Sequence, residues 1–451
     1  MVNRLAGGCN RDFDRCLPVR RLASQPAVSY HGDTGAQSGD AAHGGGGNRD
    51  FSLLFRYRTT PDGAIEKKAH IYTEGEHGIN LGLVDPDAVW VVRRLRKDGF
   101  HAYIVGGAVR DLVVGRTPND FDVATDAHPQ QVRRVFRSAR IIGRRFRIVH
   151  VYCGREKVIE VTTFRARGSG AVEASNDLDG GDVNNRFGTM EEDAERRDFT
   201  INALYYCPVD RHIIDYVGGF ADIRQRRLRT LIPAESSFTE DPVRMIRAVK
   251  YASLMRFPVP LSVSVLIKRY HESLLTCSRE RVTEEIYKIL TSGGAAEIFD
   301  MGFRLRLFET IFPALAKDLH ERRAKFTAGP LWERLRRIDQ DYDAGHALAR
   351  TSMFGLLFRD LIAAREDILR DPDARFLIQQ YLRTVSEPLF PSKKDLAEAA
   401  ESFEEEITAR QPRAQARETD LPPGAGRDGA PRRHRRRRRR GRKRSQGGQK
   451  E

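Results

Sequence analysis

Residues 103–124 read YIVGGAVRDLVVGRTPNDFDVA, and this stretch decides the fold. A short apolar run, Tyr103-Ile104-Val105, leads into Gly106-Gly107; a helix-compatible stretch from Ala108 to Val114 follows and stops at Gly115. Asp120 and Asp122 come next, with Phe121 between them. In a strand the side chains at i and i+2 point to one face, so the two carboxylates would stand side by side. They would repel each other unless a divalent cation neutralised them, and Mg²⁺ favours carboxylate and phosphate oxygens. Two glycines at a helix start let backbone approach closely, and a helix N-terminus attracts phosphate. Gly106, Gly107 and Arg110 are therefore the nucleotide-binding candidates of this segment. The alternative places Asp120 and Asp122 in a solvated turn after Pro118-Asn119.

Composition narrows the setting. A chain of 451 residues suggests two or three domains. Hydrophobic residues at 40% are enough for a sizeable core, against 31% charged residues. The formal net charge is +15, and residues 432–444, RRHRRRRRRGRKR, contribute eleven of the cations. Such a block repels itself and has nothing apolar to bury, so it is expected to be disordered and to meet a polyanion. The competing readings are a solubility tail or a patch for anionic membranes. Five scattered cysteines without a Cys-x-x-Cys pair argue against a zinc ribbon or a disulfide framework and fit a reducing, cytoplasmic setting. No apolar run is long enough to span a membrane, and no signal-peptide core is present, so no membrane partner is expected.

The periodicity predicts an α+β protein. Residues 1–66 read as a disordered or low-complexity lead, 67–230 as a small mixed-sheet head, 231–300 as a helical neck that binds nucleotide and RNA, 301–395 as a helical body and 396–451 as a disordered Arg-rich tail. An amphipathic helix is expected from about Asp85 to Asp98, with Ala88, Val91, Val92 and Leu95 on one stripe. Strand signals fall at 102–105, 120–124, 147–152, 157–164 and 212–217, and further helices at 108–114 and 129–137. The polar segment from Arg167 to Thr189 reads as a mobile loop. After Glu240 only helix patterns remain.

Several constellations lie downstream. Ile141–Val151, IIGRRFRIVHV, places Arg144, Arg145 and Arg147 at the mouth of a strand. Val158–Arg165, VIEVTTFR, sets Glu160 among apolar residues, where an acid is costly to bury without a partner. A metal held by Asp120 and Asp122 would be such a partner; solvent exposure is the other reading. In RRDFTINAL, Arg196–Leu204, Asp198 and Asn202 are four apart and would share a helix face, while Asp198 could also cap that helix. Gly218, Gly219 and Asp222 read as a structural hinge between head and helices. EDPVRMIRAVKY, Glu240–Tyr251, opens a helix with Pro242 in its first turn and Asp241 as its cap. Met245, Ala248, Ala252 and Met255 form its buried stripe, and Arg244 and Arg247 share another edge. The charges of Ser278–Leu290 read first as structural.

GGAVRDLVVGRTPNDFDVAT resembles the head motif of the class II nucleotidyltransferases, the superfamily of bacterial poly(A) polymerases and tRNA CCA-adding enzymes. RRDFTINAL, IDYVGGFADI and EDPVRMIRAVKY resemble the family's later motifs, and Gly143-Arg144-Arg145-Phe146 looks like the poly(A) polymerase branch. The resemblance covers about residues 69–300 in ordered motifs and runs more loosely to about 395. It implies two Mg²⁺ ions on Asp120 and Asp122, with Glu160 or Asp198 as a third carboxylate. It makes Asp198 a catalytic-site acid and gives Arg197 and Asn202 to the nucleotide. It places Asp241 and Arg244 at the adenine edge and Arg247 at the phosphates. The implied reaction is transfer of AMP from ATP to RNA 3′ ends in RNA processing and decay, with RNA-decay proteins as further partners. The runner-up is a tRNA CCA- or A-adding enzyme. An RNA-binding scaffold with a decayed head is disfavoured by the intact acids, and a dinucleotide oxidoreductase by the missing Gly-x-Gly-x-x-Gly.

Overall fold

The computed structural model describes residues 54–59, 65–143, 147–154, 157–166, 187–321, 329–346 and 349–403, with backbone alone for 54–59, 65–67 and Thr351. The expected disordered lead up to residue 53, most of the 167–189 loop, Arg144, Arg145, Phe146 and the basic tail lie outside the described residues.

The head is one sheet of nine strands in the order β1-β2-β9-β8-β3-β4-β7-β6-β5. The strands are β1 (Leu54–Thr59), β2 (Ile65–Tyr72), β3 (Ala102–Val105), β4 (Asp122–Thr125), β5 (Ala139–Ile142), β6 (Ile148–Cys153), β7 (Lys157–Thr163), β8 (Leu204–Cys207) and β9 (His212–Asp215). The β4–β7 pair is parallel and every other pair antiparallel, which makes the sheet mixed as expected.

Alternation along the strands divides the side chains between two cores. Ile104, Val123, Val149, Val151, Ile159 and Val161 bury on one face beneath the helices Pro86–Lys97 and Pro129–Val135. The first of these helices starts as its sequence demands. Asp85 accepts a hydrogen bond from the Asp87 amide (2.8 Å), a proline follows it, and Ala88, Val91, Val92 and Leu95 face inward. Tyr103, Val105, Ala124, Tyr205 and Ile214 bury on the opposite face against Met190 and Ala194 of the helix Met190–Glu195. That second cover reaches β3, β4, β8 and β9. Strand β3 is thus buried on both faces, which is why AYIV is an unbroken apolar run.

From Ala234 onward the described residues hold helices and no strand. Their core is aromatic: the Phe299 ring lies 4.9 Å from Phe308 and 5.3 Å from Phe312, and Phe354 lies 5.2 Å from Phe358. No helix among the described residues is long and apolar enough to cross a membrane.

Four expectations need correction. Residues 54–59 and 65–66, placed in the lead, are strand, because β1 pairs with β2 and β2 with β9. The strands 139–142 and 204–207 were not expected, and residues 393–403 extend helix past the expected body boundary at 395. The acid-bearing strand begins at Asp122, not at residue 120, so Asp120 is an exposed residue of the loop before it.

Candidate active site

The turn after β3 depends on Gly106, whose φ of 72° and ψ of −133° are open to glycine and costly for other residues. It brings the backbone against Arg197: a Cβ there would stand 3.4 Å from Nη1 of that residue. The helix Gly107–Val113 starts at this turn and forms one wall of a cleft of about 470 Å³. Asp120, Asp122, Arg197, Asp198 and Asn202 line the cleft from the head, and Asp241, Arg244 and Arg247 line it from the neck. Gly106, Gly107 and Arg110 complete the set of sequence-derived candidates gathered here; Glu160 does not line the cleft.

Asp120 and Asp122 share the cleft although only Asp122 is in the strand. Burial pushes the Asp122 carboxyl up to about 6, and the charges of Glu160 and Asp120 push the same way, against Arg197 and Lys288. Glu160 sits beside Asp122 in register across the parallel β4–β7 pair. The premise of a buried Glu160 fails, since its side chain is 49% exposed, with His150 Nε2 3.4 Å away. Among the described residues no group of three His, Cys, Asp or Glu side chains is arranged to hold a metal.

Asp198 lies at the centre of a chain of contacts joining head to neck. Its Oδ1 accepts from the Phe199 amide (2.8 Å) and from Asn202 Nδ2 (3.1 Å). Its Oδ2 stands 3.1 Å from Arg247 Nε, an ion pair without hydrogen-bond alignment. Asn202 Oδ1 in turn accepts from Arg110 Nη1 at 2.8 Å, and the Arg110 guanidinium lies 4.6 Å from the centre of the Tyr251 ring. Arg110 also pairs with Asp111 at 3.0 Å, so it holds its neighbours in place and carries no unpaired charge into the cleft. The helix face expected for Asp198 and Asn202 is a 3₁₀ turn, Thr200–Asn202, and its cap position is Phe199, not Asp198.

Arg197 is held by the buried Asp193, whose Oδ2 accepts from Nη2 (3.1 Å) and also from the Tyr205 hydroxyl (2.8 Å). Its Nη1 donates to the Asn202 carbonyl, and its Nε is buried without a partner. Burial alone would raise the Asp193 carboxyl, but Arg197 and Arg196 outweigh it and hold the group below its ordinary value. The glycines expected to form a hinge form a clamp instead. The Asp215 carboxylate accepts from four successive amides, Val217 to Phe220, and a Cβ on Gly219 would stand 2.1 Å from the Thr200 carbonyl oxygen. The backbone bearing Asn202 is fixed by that close approach.

On the neck helix Val243–Leu254 the cap position is Pro242, not the expected Asp241, which ends the preceding helix Ala234–Glu240; Asp241 Oδ1 accepts from the Val243 amide (3.3 Å) and Oδ2 from Arg281 (2.8 Å). Arg244 bonds Ser237 Oγ (3.1 Å) and Glu240 (3.2 Å). Sequence reasoning passed over Lys250, Tyr251, Glu285 and Lys288, all of which line the cleft. Lys250 is buried and pairs with Glu285 at 2.5 Å. Burial raises the Tyr251 hydroxyl, yet Arg247, Lys250 and Arg110 around it hold it below the ordinary tyrosine value. Lys288, on the helix Arg279–Leu290, is exposed and makes no hydrogen bond or ion pair with a described residue. Spacing could have found them: Tyr251 follows Arg247 by four residues, and Lys288 follows Glu285 by three, so each pair shares a helix face.

Residues 102–229 match the family model for the poly A polymerase head domain, and residues 257–319 the model described as the probable RNA and SrmB-binding site of polymerase A. Over these residues the chain is similar to the poly(A) polymerases and the CCA-adding nucleotidyltransferases. The chain is 40% identical over 251 residues to poly(A) polymerase I of Salmonella typhi, covering 54% of each chain. It is 38% identical over 275 residues to poly(A) polymerase I of Escherichia coli O6:H1, covering 60% of this chain and 59% of that one. The CCA-adding enzyme of Bacillus subtilis is 35% identical over 224 residues, covering 50% of this chain and 55% of the relative. The chain thus spans little more than half the length of the curated relatives it matches.

Proposed function

We propose that the protein adds AMP from ATP to the 3′-hydroxyl of RNA. The observation that carries this reading is the single cleft in which the head's Asp120 and Asp122 face the neck's Arg244, Arg247 and Lys288. The poly(A) polymerase I relatives, at 38–40% identity, support AMP as the transferred group over the more distant CCA-adding relatives.

Divalent metal fits the carboxylates of this chain. Asp120 and Asp122 are hard oxygen donors without an ion pair among the described residues, and burial together with the charges of Glu160 and Asp120 raises Asp122. Two such carboxylates plus phosphate oxygens and water suit Mg²⁺, which rarely takes an all-protein cage. Bound there, Mg²⁺ supplies Lewis-acid stabilisation to the phosphoryl oxygens and favours ionisation of the primer hydroxyl. The chain's own residues place the reactants. Asp241 and Arg244 would meet the base, and Arg247, paired with Asp198 and donating to the Tyr251 hydroxyl, would meet the triphosphate. Lys288 brings an exposed cation that makes no ion pair with a described acid and whose charge reaches Asp122 and Glu285 in the cleft. The RNA 3′ oxygen attacks the α-phosphorus, the bond from that phosphorus to the bridging oxygen breaks, and pyrophosphate leaves.

The test supplies labelled ATP or CTP in parallel to the purified full chain, with either unstructured RNA or tRNA lacking its terminal nucleotides. Long adenylate extension of unstructured RNA, with little from CTP, is expected. Addition limited to two cytidines and one adenosine on truncated tRNA would replace this reading with that of a CCA-adding enzyme.

A further inference from the structure

One half of the sheet has an open face. The helix Met190–Glu195 covers β3, β4, β8 and β9 on the side that carries Asp122, but nothing among the described residues covers β5, β6 and β7 on that side. There the register builds a row leading away from Asp122: Glu160 pairs with Asp122, His150 with Glu160, and Arg140 with His150. Directly paired residues share a face, and three steps of about 4.8 Å put Arg140 roughly 14 Å from Asp122. The contacts agree with that placement. His150 Nε2 is 3.4 Å from Glu160, and the Arg140 guanidinium lies 5.7 Å from the centre of the Tyr152 ring. Arg140 is exposed, Tyr152 and His150 are half-buried, and Ile142 is 39% exposed at the same edge.

Charge says what this face meets. The described residues of β5 and β6 place Arg140 and no Asp or Glu on this face, while the helix Pro129–Val135 covers the other one. Glu160 is the one acid on the open face among the described residues, and it stands next to the metal-binding carboxylates. A sheet face that carries an aromatic ring beside an arginine, with its one acid at the end next to Asp122, fits single-stranded nucleic acid: bases stack on the ring and the cation meets the backbone.

We propose that the RNA strand leading to the reacting 3′ end lies across the open face of β5, β6 and β7, with Tyr152 stacking on a base and Arg140 meeting a phosphate. The proposal deepens the adenylyl-transfer reading and rests on it for the position of the reacting end. It gives the head an RNA path of its own, separate from the helical segment and from the basic tail.

The test uses the full chain with a short unstructured RNA carrying a photoreactive thiouridine near its 3′ end. Crosslinks to residues 139–153 are expected. Tyr152→Ser and Arg140→Glu should each raise the KM for this primer about tenfold, while the KM for ATP stays put. Tyr152→Phe keeps the ring and should hold the wild-type KM for the primer. Arg140 lies exposed on an edge strand, so its variant reports even where Tyr152→Ser lowers stability. Crosslinks confined to the helical segment, with unchanged primer KM in both variants, overturn the proposal while AMP transfer stands. Crosslinking that finds the chain's own 167–186 segment over this face in the RNA complex overturns it equally. Crosslinks at 139–153 in a protein that transfers no AMP would support the surface and sink the function.

Discussion

The two walls of the cleft differ in how their charges are balanced. On the head side, Asp120 and Asp122 form no ion pair among the described residues, and the Asp122 carboxyl is pushed up to about 6. On the neck side, Arg244, Arg247 and Lys250 are matched to Glu240, Asp198 and Glu285, and Lys288 alone is unmatched among the described residues. Paired cations have their desolvation partly compensated before a ligand arrives and hold a fixed geometry. Unpaired carboxylates keep an unfavourable field that binding of a cation relieves. On the proposed reading, the head is the wall that reacts and the neck the wall that places.

The sharpest break of this contrast is removal of the unpaired acids. Asp120→Ala should lower AMP incorporation on the order of 10³-fold or more, with an unchanged melting temperature, because Asp120 is exposed and packs nothing. Normal turnover at saturating Mg²⁺ would end the assignment. Asp193→Asn tests the opposite case, an acid fully matched in the head interior. It leaves Arg196 and Arg197 without their carboxylate and should cost about 3 kcal/mol in denaturant unfolding. The sign of its pH dependence follows from its lowered native value. Its stabilisation is complete above the ordinary carboxylate value near 4 and is lost as pH falls through the lowered one. Wild-type stability at neutral pH would show that the pair is not what holds Arg197.

Arg247→Ala removes the link from neck to head. Incorporation is expected to fall about a hundredfold, and Asp198→Asn in the same background should add little further loss, since both act through one contact. Additive losses would separate the two residues. Lys288→Ala should raise the KM for ATP about tenfold or less, with high salt narrowing the difference, as befits one exposed cation. An ATP KM that does not respond would place Lys288 outside the phosphate path. The smallest effect on the chemistry is expected from deleting the chain after Arg410. The salt slope of RNA affinity should flatten, by about 0.7 for each phosphate that the tail no longer neutralises, with turnover on saturating primer nearly unchanged. An equal slope would give the basic run another role.

Much of the head could be read from residues 103–124 because glycine and aspartate there have few alternatives. Gly106 adopts a backbone that other residues avoid, and Asp122 faces a cleft that its sequence neighbours line. Residues whose surroundings come from distant segments were harder to read. Glu160 stands among apolar neighbours in sequence, but strand alternation turns it to a face that no described residue covers, which the sheet order reveals. Residues 54–59 carry a weak strand pattern, and their pairing partner lies in β2, which itself depends on β9. Lys250 and Lys288 belong to helices whose charges look like solvated surface until the head closes over them. Gly219 is critical to the backbone for a reason its sequence hides: what excludes a side chain is contact with Thr200, not bending.

The division between a reacting wall and a placing wall is tested most directly by measuring ATP affinity and AMP incorporation together in Asp122→Asn. Nearly unchanged ATP binding is predicted, within about threefold of wild type, since the neck's cations are intact, together with an incorporation rate lowered by orders of magnitude. Incorporation at the wild-type rate, or loss of ATP binding in step with turnover, would contradict the account.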